Sequence, residues 1–406
     1  MSNENSILNF DELVKDIVAA NPNDPTFKLE NVLLAGKSKE MAQVIDQLYI
    51  QCGLGAVKSG LTRSLYGINF AGTPNQMPVN RDTYGMTFFT RPLLNLSEAN
   101  IRNNRIMSQL LNKDKESMHC LLRCYLDPRI FDEESRASVG YGSPFLNEKS
   151  PFISILSNNL LSMSGWPDFD AQLFTSAAGN FREEYSYVDG VVKHYGTWDA
   201  TCSFRNIDGN MIVNIFFYWL LYQASVAVVG DLLPYPIMNL GHEIDYNTAI
   251  WRMTFSPDRK RITGIARTIA YPITCPIGAQ FNFESDSVYN TENEQTSIQF
   301  KCHGAEYNDD ILIDEFNMLV EIFDPDFRYD TREKNYVQIP PSMWRLFNGM
   351  AQPRINPATD EMEWWVTIDD YSKYRPMFAN LPVSLYGGKS IVEQVAELNA
   401  NERNRK

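Results

Sequence analysis

The sequence predicts an α+β protein: an antiparallel β-barrel or sandwich with packed helices and helical N- and C-terminal extensions. Three observations lead to this fold class. Thr197–Arg205 alternates apolar and polar residues, as a half-buried strand does. Residues 249–256 and 262–270 alternate in the same way around the turn 257–260, which is the pattern of a hairpin. Residues 210–230 contain no charged residue and predict a buried helix beside that sheet.

The chain divides by pattern into four regions. Residues 1–60 carry apolar residues at helical spacing and predict a loosely attached N-terminal arm. Residues 61–184 are predicted to be mixed α/β, and 185–335 to form a β domain around the buried helix. Residues 336–406 are rich in proline and aromatic residues and predict a C-terminal extension with interface loops.

Charge limits the partners that this protein can bind. Its 406 residues include 36 Lys and Arg against 50 Asp and Glu, a net charge of −14. Gripping nucleic acid by its phosphates requires clustered cations, so specific binding of nucleic acid is not expected. An acidic surface repels phosphate, which suits a conduit through which DNA slides. Residues 1–10 lack a hydrophobic signal region, and the six cysteines are interpreted as reduced core residues of a protein assembled in the cytoplasm.

The apolar segment 210–230 imitates a membrane-spanning helix. Its polar residues recur every four positions and form one stripe: Asn210, Asn214, Tyr218 and Tyr222. Its flanks are Asp208 and Asp231, and the only basic residue nearby is Arg205, so the flanking charge expected of a membrane helix is missing. A helix buried between sheets or subunits is therefore favoured, and no membrane partner is predicted.

Local sequence patterns also predict one more strand and two more helices. Residues 84–91 are rich in β-branched and aromatic residues and predict a strand that stops at Pro92. Ser97 then resembles an N-cap for a helix that runs through Ile106 to Leu110. Residues 306–335 predict one more helix, with Leu312 and Phe316 on its apolar side.

The sequence contains no complete catalytic, cofactor-binding or metal-binding motif. Gly36-Lys37-Ser38 ends like a phosphate-binding loop, but Asn31 occupies the position of the required earlier glycine. Cys120 and Cys124, four residues apart, would lie on one helix face, where a packed apolar face is favoured over a zinc site. We therefore predict no enzyme activity, no cofactor and no metal.

One cluster of acids leaves an alternative open. The carboxylates lie among aromatic residues, an arrangement that a cell-wall glycosidase carried on a virion could use. They are Asp168, Asp170, Glu183 and Glu184. Solvated acids beside a core are the favoured interpretation.

Two stretches resemble virion structural proteins of bacteriophages. Residues 88–96 read FFTRPLLNL and resemble an FFTRPDLN pattern of tail and baseplate components, with Leu93 where that pattern has Asp. Residues 197–283 place a strand, an uncharged aromatic helix and a hairpin before Tyr271-Pro272 and Gln280-Phe281. This order is similar to that of tail-tube or baseplate tube-initiating proteins of contractile tails.

The resemblance implies a function and a location. It implies a tube-like β domain at 185–335 and a structural subunit that assembles into a ring, as a hexamer, with other tail or baseplate proteins. The ring would lie in the virion tail and line or support the passage of DNA. A head-to-tail connector is the alternative within the same class. The residues expected to serve assembly are Phe88, Phe89, Arg91, Trp251, Arg252, Phe255, Arg267 and Tyr271.

Overall fold

The computed structural model describes most of the chain between residues 84 and 372. The described residues are 84–129, 142–190, 196–241, 243–256, 259–281, 295–340, 347 and 350–372. The predicted N-terminal arm and the far end of the predicted C-terminal extension lie outside these residues.

Six antiparallel strands form the main sheet, in the order β1-β6-β7-β8-β5-β2. They are β1 (Tyr84–Phe89), β2 (Leu160–Ser164), β5 (Thr197–Arg205), β6 (Thr248–Phe255), β7 (Ile262–Pro272) and β8 (Gln295–Tyr307). β3 (Gln172–Thr175) and β4 (Ser186–Gly190) form a separate hairpin between β2 and β5. The predicted strand 197–205 and the predicted hairpin are both confirmed.

The sheet curls until its end strands nearly meet. Beyond the end of β1, the Arg91 N–H donates to the Pro151 carbonyl at 2.8 Å. The Ile153 N–H donates to the Phe89 carbonyl at the same distance. The short helix α3 (Ser154–Asn159) then leads from this junction into β2. The result is a mixed helix and antiparallel-sheet protein with a nearly closed, barrel-like sheet, which confirms the predicted fold class at that level.

One face of the sheet holds the larger core, here called the first core. Alternation places Ala200, Cys202 and Phe204 of β5 on this face, all fully buried. Helix α4 (Met211–Ala224) packs against them, and its Phe216 ring lies 5.7 Å from Phe204. Burying a side chain as large as Phe216 contributes about 1.5–3 kcal/mol. This burial explains why the segment carries no charge.

The apolar helix continues as a π-helix over Ser225–Val229 and ends at Gly230, which has a left-handed φ of 74°. By length and composition, Met211–Val229 is the one described helix that is apolar enough to cross a membrane. Almost half of it, 44%, is buried inside the protein. The contacts of α4 with the sheet agree with the predicted core helix.

The opposite face of β1, β6 and β7 holds the second core. Helix α6 (Ile311–Phe323) packs on this face, and its Phe316 ring lies 5.2–5.5 Å from three aromatic neighbours: Phe88, Phe152 and Trp251. A three-stranded antiparallel sheet joins this core through Ile355 and Met362. Its strands are β9 (Tyr336–Ile339), β10 (Gln352–Asn356) and β11 (Glu361–Thr367).

Two of the predicted helices differ from the structure in their bounds. The helix predicted after Ser97 is only α1 (Glu98–Ile101), followed by a separate 3-10 turn at Met107–Leu111. Ser97 occupies the N-cap position of α1 as predicted, but its hydroxyl donates to the Asn95 side chain at 2.7 Å and forms no cap hydrogen bond with the helix. The helix predicted over 306–335 is divided into α6 and α7 (Tyr329–Asn335), because Pro325 cannot continue α6. The remaining described helices are α2 (Met118–Leu126) and α5 (Pro236–Gly241).

Contacts between elements cross the bounds of the predicted four regions. β1 belongs to the predicted 61–184 region, and its partner β6 belongs to the 185–335 region. The strands of 336–367 pack on the second core. The division itself stays a prediction.

Candidate assembly surfaces

A long excursion of the chain, residues 165–190, leaves the sheet between β2 and β5 and is called the aromatic arm below. The two strands that flank it are direct neighbours in the sheet, so a short turn would have sufficed to connect them. The arm instead contains the β3–β4 hairpin, and every residue from Asp168 to Asp189 except Ser176 is exposed.

The base of the arm is fixed to the sheet. Gly165 adopts a φ of 106°, and a Cβ at this position would lie 2.3 Å from the Asp199 carbonyl oxygen, so only glycine fits. The Trp166 ring packs 5.1 Å from the Trp198 ring. The Tyr307 hydroxyl donates to the Pro167 carbonyl at 2.7 Å. The arm therefore leaves the sheet from a defined position.

Beyond its base, the arm presents apolar side chains on both faces of the hairpin. The register pairs Leu173 with Val188 on one face and Phe174 with Tyr187 on the other. Both members of each pair are exposed, and Phe181 at the tip is 93% exposed. A two-stranded hairpin is marginally stable alone in water. A projecting hairpin with apolar residues on both faces has the character of a contact surface for another chain.

The arm is also acidic. It carries five carboxylates and one arginine, Arg182. All four acids considered for glycoside cleavage lie on it, and all four are exposed, as the solvated interpretation expects. Glu183 shapes the tip, where its carboxylate accepts the Phe181 N–H at 2.7 Å and its carbonyl accepts the Gly179 N–H. Within the described ranges, no group of His, Cys, Asp and Glu is arranged to hold a metal ion.

Five of the eight predicted assembly residues are buried within this single chain. Phe88, Trp251 and Phe255 belong to the second core and Phe89 to the first. Arg91 is 4% exposed and donates to the Asn147 carbonyl at 2.6 Å. These side chains hold the chain's own fold together, and their role between chains stays a prediction.

The other three predicted residues are partly exposed. Arg252 donates to the Thr87 hydroxyl at 2.9 Å, and burial lowers the pKa of its guanidinium. Arg267 lies over the Trp251 ring at 5.3 Å and forms an ion pair with Glu315. Tyr271 packs against the His303 and Tyr246 rings. Each of them already has partners inside the chain, and a role in assembly stays a prediction for these three as well.

The FFTRPLLNL stretch ends in a buried hydrogen-bond node. The Tyr222 hydroxyl of α4 donates to the Asp245 carboxylate at 2.5 Å and accepts the Asn95 N–H at 3.1 Å. The Asp245 carbonyl also accepts the Leu93 N–H. Burial raises the pKa of Asp245 and, together with the charge of Asp245, that of Tyr222. The node connects the exit of β1, the end of α4 and the approach to β6.

Sequence reasoning missed the arm as an assembly surface. The available signal was the density of aromatic and acidic residues in 165–190, together with Gly165 and Pro167 at its base. Alternation is weak there, because neither face of the hairpin is buried. A pattern search that relies on burial has little to detect in such a segment.

A barrel-like sheet that projects an apolar arm defines a class: subunits that associate with other chains. The model of the family described as "Putative phage tail tube protein" matches residues 29–380, and the chain belongs to this family. Among curated proteins, none matches the chain. The resemblance to phage tail proteins is therefore confirmed, and the family supports a structural, non-enzymatic role in the virion tail.

Proposed function

We propose that this protein is a tail-tube subunit whose copies assemble into sixfold rings around the path of the DNA. The aromatic arm is the observation that carries the proposal. Its exposed side chains include Phe169, Leu173, Phe174, Phe181 and Tyr185. This exposed apolar surface does not stabilise a monomer. If a neighbouring copy covers it, the association gains about 25 cal/mol of free energy per Å² of apolar surface buried.

The end strands of the sheet support association between copies. β2 is the last strand on one side, and its outer edge has no partner strand among the described residues. On β1, the Phe89 carbonyl points to the outer edge, because it accepts the Ile153 N–H. Strand geometry then directs the backbone groups of Gly85 and Thr87 to the same edge. Edges that lack a partner strand among the described residues are templates for strands of another chain.

The charge supports a path for DNA. The net charge of −14 disfavours phosphate binding, and a tube wall must let DNA slide. A baseplate ring that initiates the tube would have the same properties. The ring would associate with other tail proteins at its two ends.

Electron microscopy and light scattering of the purified full chain test the proposal. We expect the parent protein to form sixfold rings or tubes as its concentration rises. The variant Leu173→Ser with Phe181→Ser should remain monomeric, and its urea midpoint should match that of the parent because both side chains are exposed. Phe145→Ser is the matched control: Phe145 is 66% exposed but lies outside the arm, so this variant should assemble.

Two results would count against the proposal. Monomers of the parent protein at every concentration would contradict assembly, and rings formed equally well by the arm variant would contradict the role of the arm. Twelvefold rings would instead identify a head-to-tail connector.

A further inference from the structure

Helix α6 carries apolar side chains on two opposite sides. Its inner side packs in the second core through Leu312, Phe316, Val320 and Phe323. Its outer side presents Ile311, Met318 and Ile322, which are 61%, 56% and 51% exposed. Spacings of seven and four residues place these three on one face of a helix. We call this face the outer stripe.

The outer stripe lies in an acidic setting. Residues 303–327 contain eight Asp and Glu and no Lys or Arg. Arg267 and Lys149 form ion pairs with four of these acids, namely Glu306, Glu315, Asp324 and Asp326. Asp309, Asp310 and Asp314 at the start of α6 form no ion pair with any lysine or arginine in the described ranges. Burial and the nearby charge of Asp310 both raise the pKa of Asp314, which indicates an unbalanced negative field at this end of the helix.

The described residues leave the three stripe residues exposed, so a segment that covers them comes from outside the described part of the chain or from another copy. A fitting occupant has apolar residues at helical spacing together with positive charge. The chain itself contains such a segment in residues 37–63. There Met41, Val44, Ile45 and Leu48 recur at helical spacing. Four basic residues (Lys37, Lys39, Lys58 and Arg63) outnumber the two acids Glu40 and Asp46, in a chain that is strongly acidic as a whole.

The reach of the chain permits contact with a neighbour. Residues 64–83 separate this segment from β1. At about 3.3–3.6 Å per residue, these connecting residues span roughly 70 Å when fully extended. This distance exceeds the diameter of a typical domain, so the segment can cross from its own copy to the next one.

We propose that the outer stripe of α6 in one copy binds residues 37–63 of a second copy. The proposal rests on the proposed function in one respect, namely that copies of this chain associate. Apolar contact with Ile311, Met318 and Ile322 stabilises the pair. The lysines of the incoming segment lie against the aspartates that begin α6.

Photo-crosslinking in the full chain tests this contact. A benzophenone amino acid replaces Met318, an exposed position whose change leaves the second core intact. Equal amounts of isotopically heavy and light protein are mixed, assembled, irradiated and digested for mass spectrometry. We expect heavy–light cross-links from position 318 to peptides of residues 37–63. The same amino acid at Glu333, exposed on α7, is the control and should not capture this segment.

Charge variants separate the contact from accidental proximity. Lys37→Glu with Lys39→Glu should cause loss of the heavy–light cross-link. Lys113→Glu with Lys115→Glu makes the same change of charge at exposed positions elsewhere and should retain it. Cross-links within one isotope only, cross-links to other peptides, or yields no higher than at position 333 would each overturn the proposal. Rings seen by electron microscopy without the expected cross-link would overturn this contact alone, whereas an absence of rings would overturn the proposed function.

Discussion

Removing one hydroxyl from the buried node should destabilise the whole chain. In Tyr222→Phe, the ring still fills its place in the first core, but two hydrogen bonds are lost. The Asp245 carboxylate, 3% exposed, loses its donor at 2.5 Å, and the Asn95 N–H loses its acceptor at 3.1 Å. A hydrogen bond to a charged group contributes about 1.5–3 kcal/mol, and an orphaned buried N–H costs about 1–3 kcal/mol. We expect the free energy of unfolding to fall by about 3 kcal/mol.

Urea unfolding measures this loss of stability. A double-mutant cycle shows how much of the loss comes from the interaction between Tyr222 and Asp245. Asp245→Asn removes the buried charge, so Tyr222→Phe should cost less in that background than in the parent. Tyr307→Phe is the control: Tyr307 is 36% exposed and donates one hydrogen bond to a carbonyl, so its loss should stay under about 1 kcal/mol. A loss below about 1 kcal/mol for Tyr222→Phe, or an equal loss in both backgrounds, would refute the reasoning.

The same node predicts a dependence on pH. Burial raises the pKa of Asp245 above its unfolded value. The hydrogen bond from Tyr222 opposes this effect but does not cancel it, so the pKa in the folded protein stays raised. A raised carboxyl pKa stabilises the fold most at low pH, and this stabilisation is lost as the pH rises through the folded pKa. Tyr222→Phe raises that pKa further. Its penalty should therefore be smallest below about pH 4, where the carboxyl is protonated in both states.

Three further changes have defined outcomes in urea unfolding. Gly85→Ala should cost about 1–3 kcal/mol, because a Cβ there would lie 2.7 Å from a backbone carbonyl of β6, whereas Gly278→Ala enters open space and should be neutral. Phe316→Ala should cost about 3–5 kcal/mol, because the side chain is fully buried, whereas Met318→Ala on the exposed side of the same helix should change stability by less than about 0.5 kcal/mol. Burial raises the pKa of the Cys202 thiol from 9.0 to about 12. The contribution of this thiol to the free energy of unfolding is therefore complete below about pH 9 and declines by about 1.4 kcal/mol per pH unit above it. The stability difference between the parent and Cys202→Ala should narrow accordingly between pH 8 and pH 10, and a constant difference would contradict the raised pKa.

Local pattern was sufficient for β1, β5, the β6–β7 hairpin and the core helix. The strand Thr197–Arg205 was predicted to the residue, because every second side chain meets the first core. The charge-free segment from Asn210 was predicted as a buried helix, and eight of the fourteen residues of α4 are buried. Local pattern placed the N-cap at Ser97 but not the end of the helix, which stops at Ile101.

Long-range contacts decided the rest, including which residues remain available for assembly. Phe88, Trp251 and Phe255 share the aromatic character expected of an interface, but cross-strand pairing with α6 above them encloses all three. Phe181 has the same character and is almost fully exposed, because no other element among the described residues packs against the tip of the arm. The sequence by itself determined the alternating strands β1, β5, β6 and β7, the core helix, the acidic balance and the resemblance to phage tail proteins, since these depend on neighbouring residues or on composition. Only the tertiary structure separated core aromatics from exposed ones, because burial depends on contacts between residues far apart in the chain.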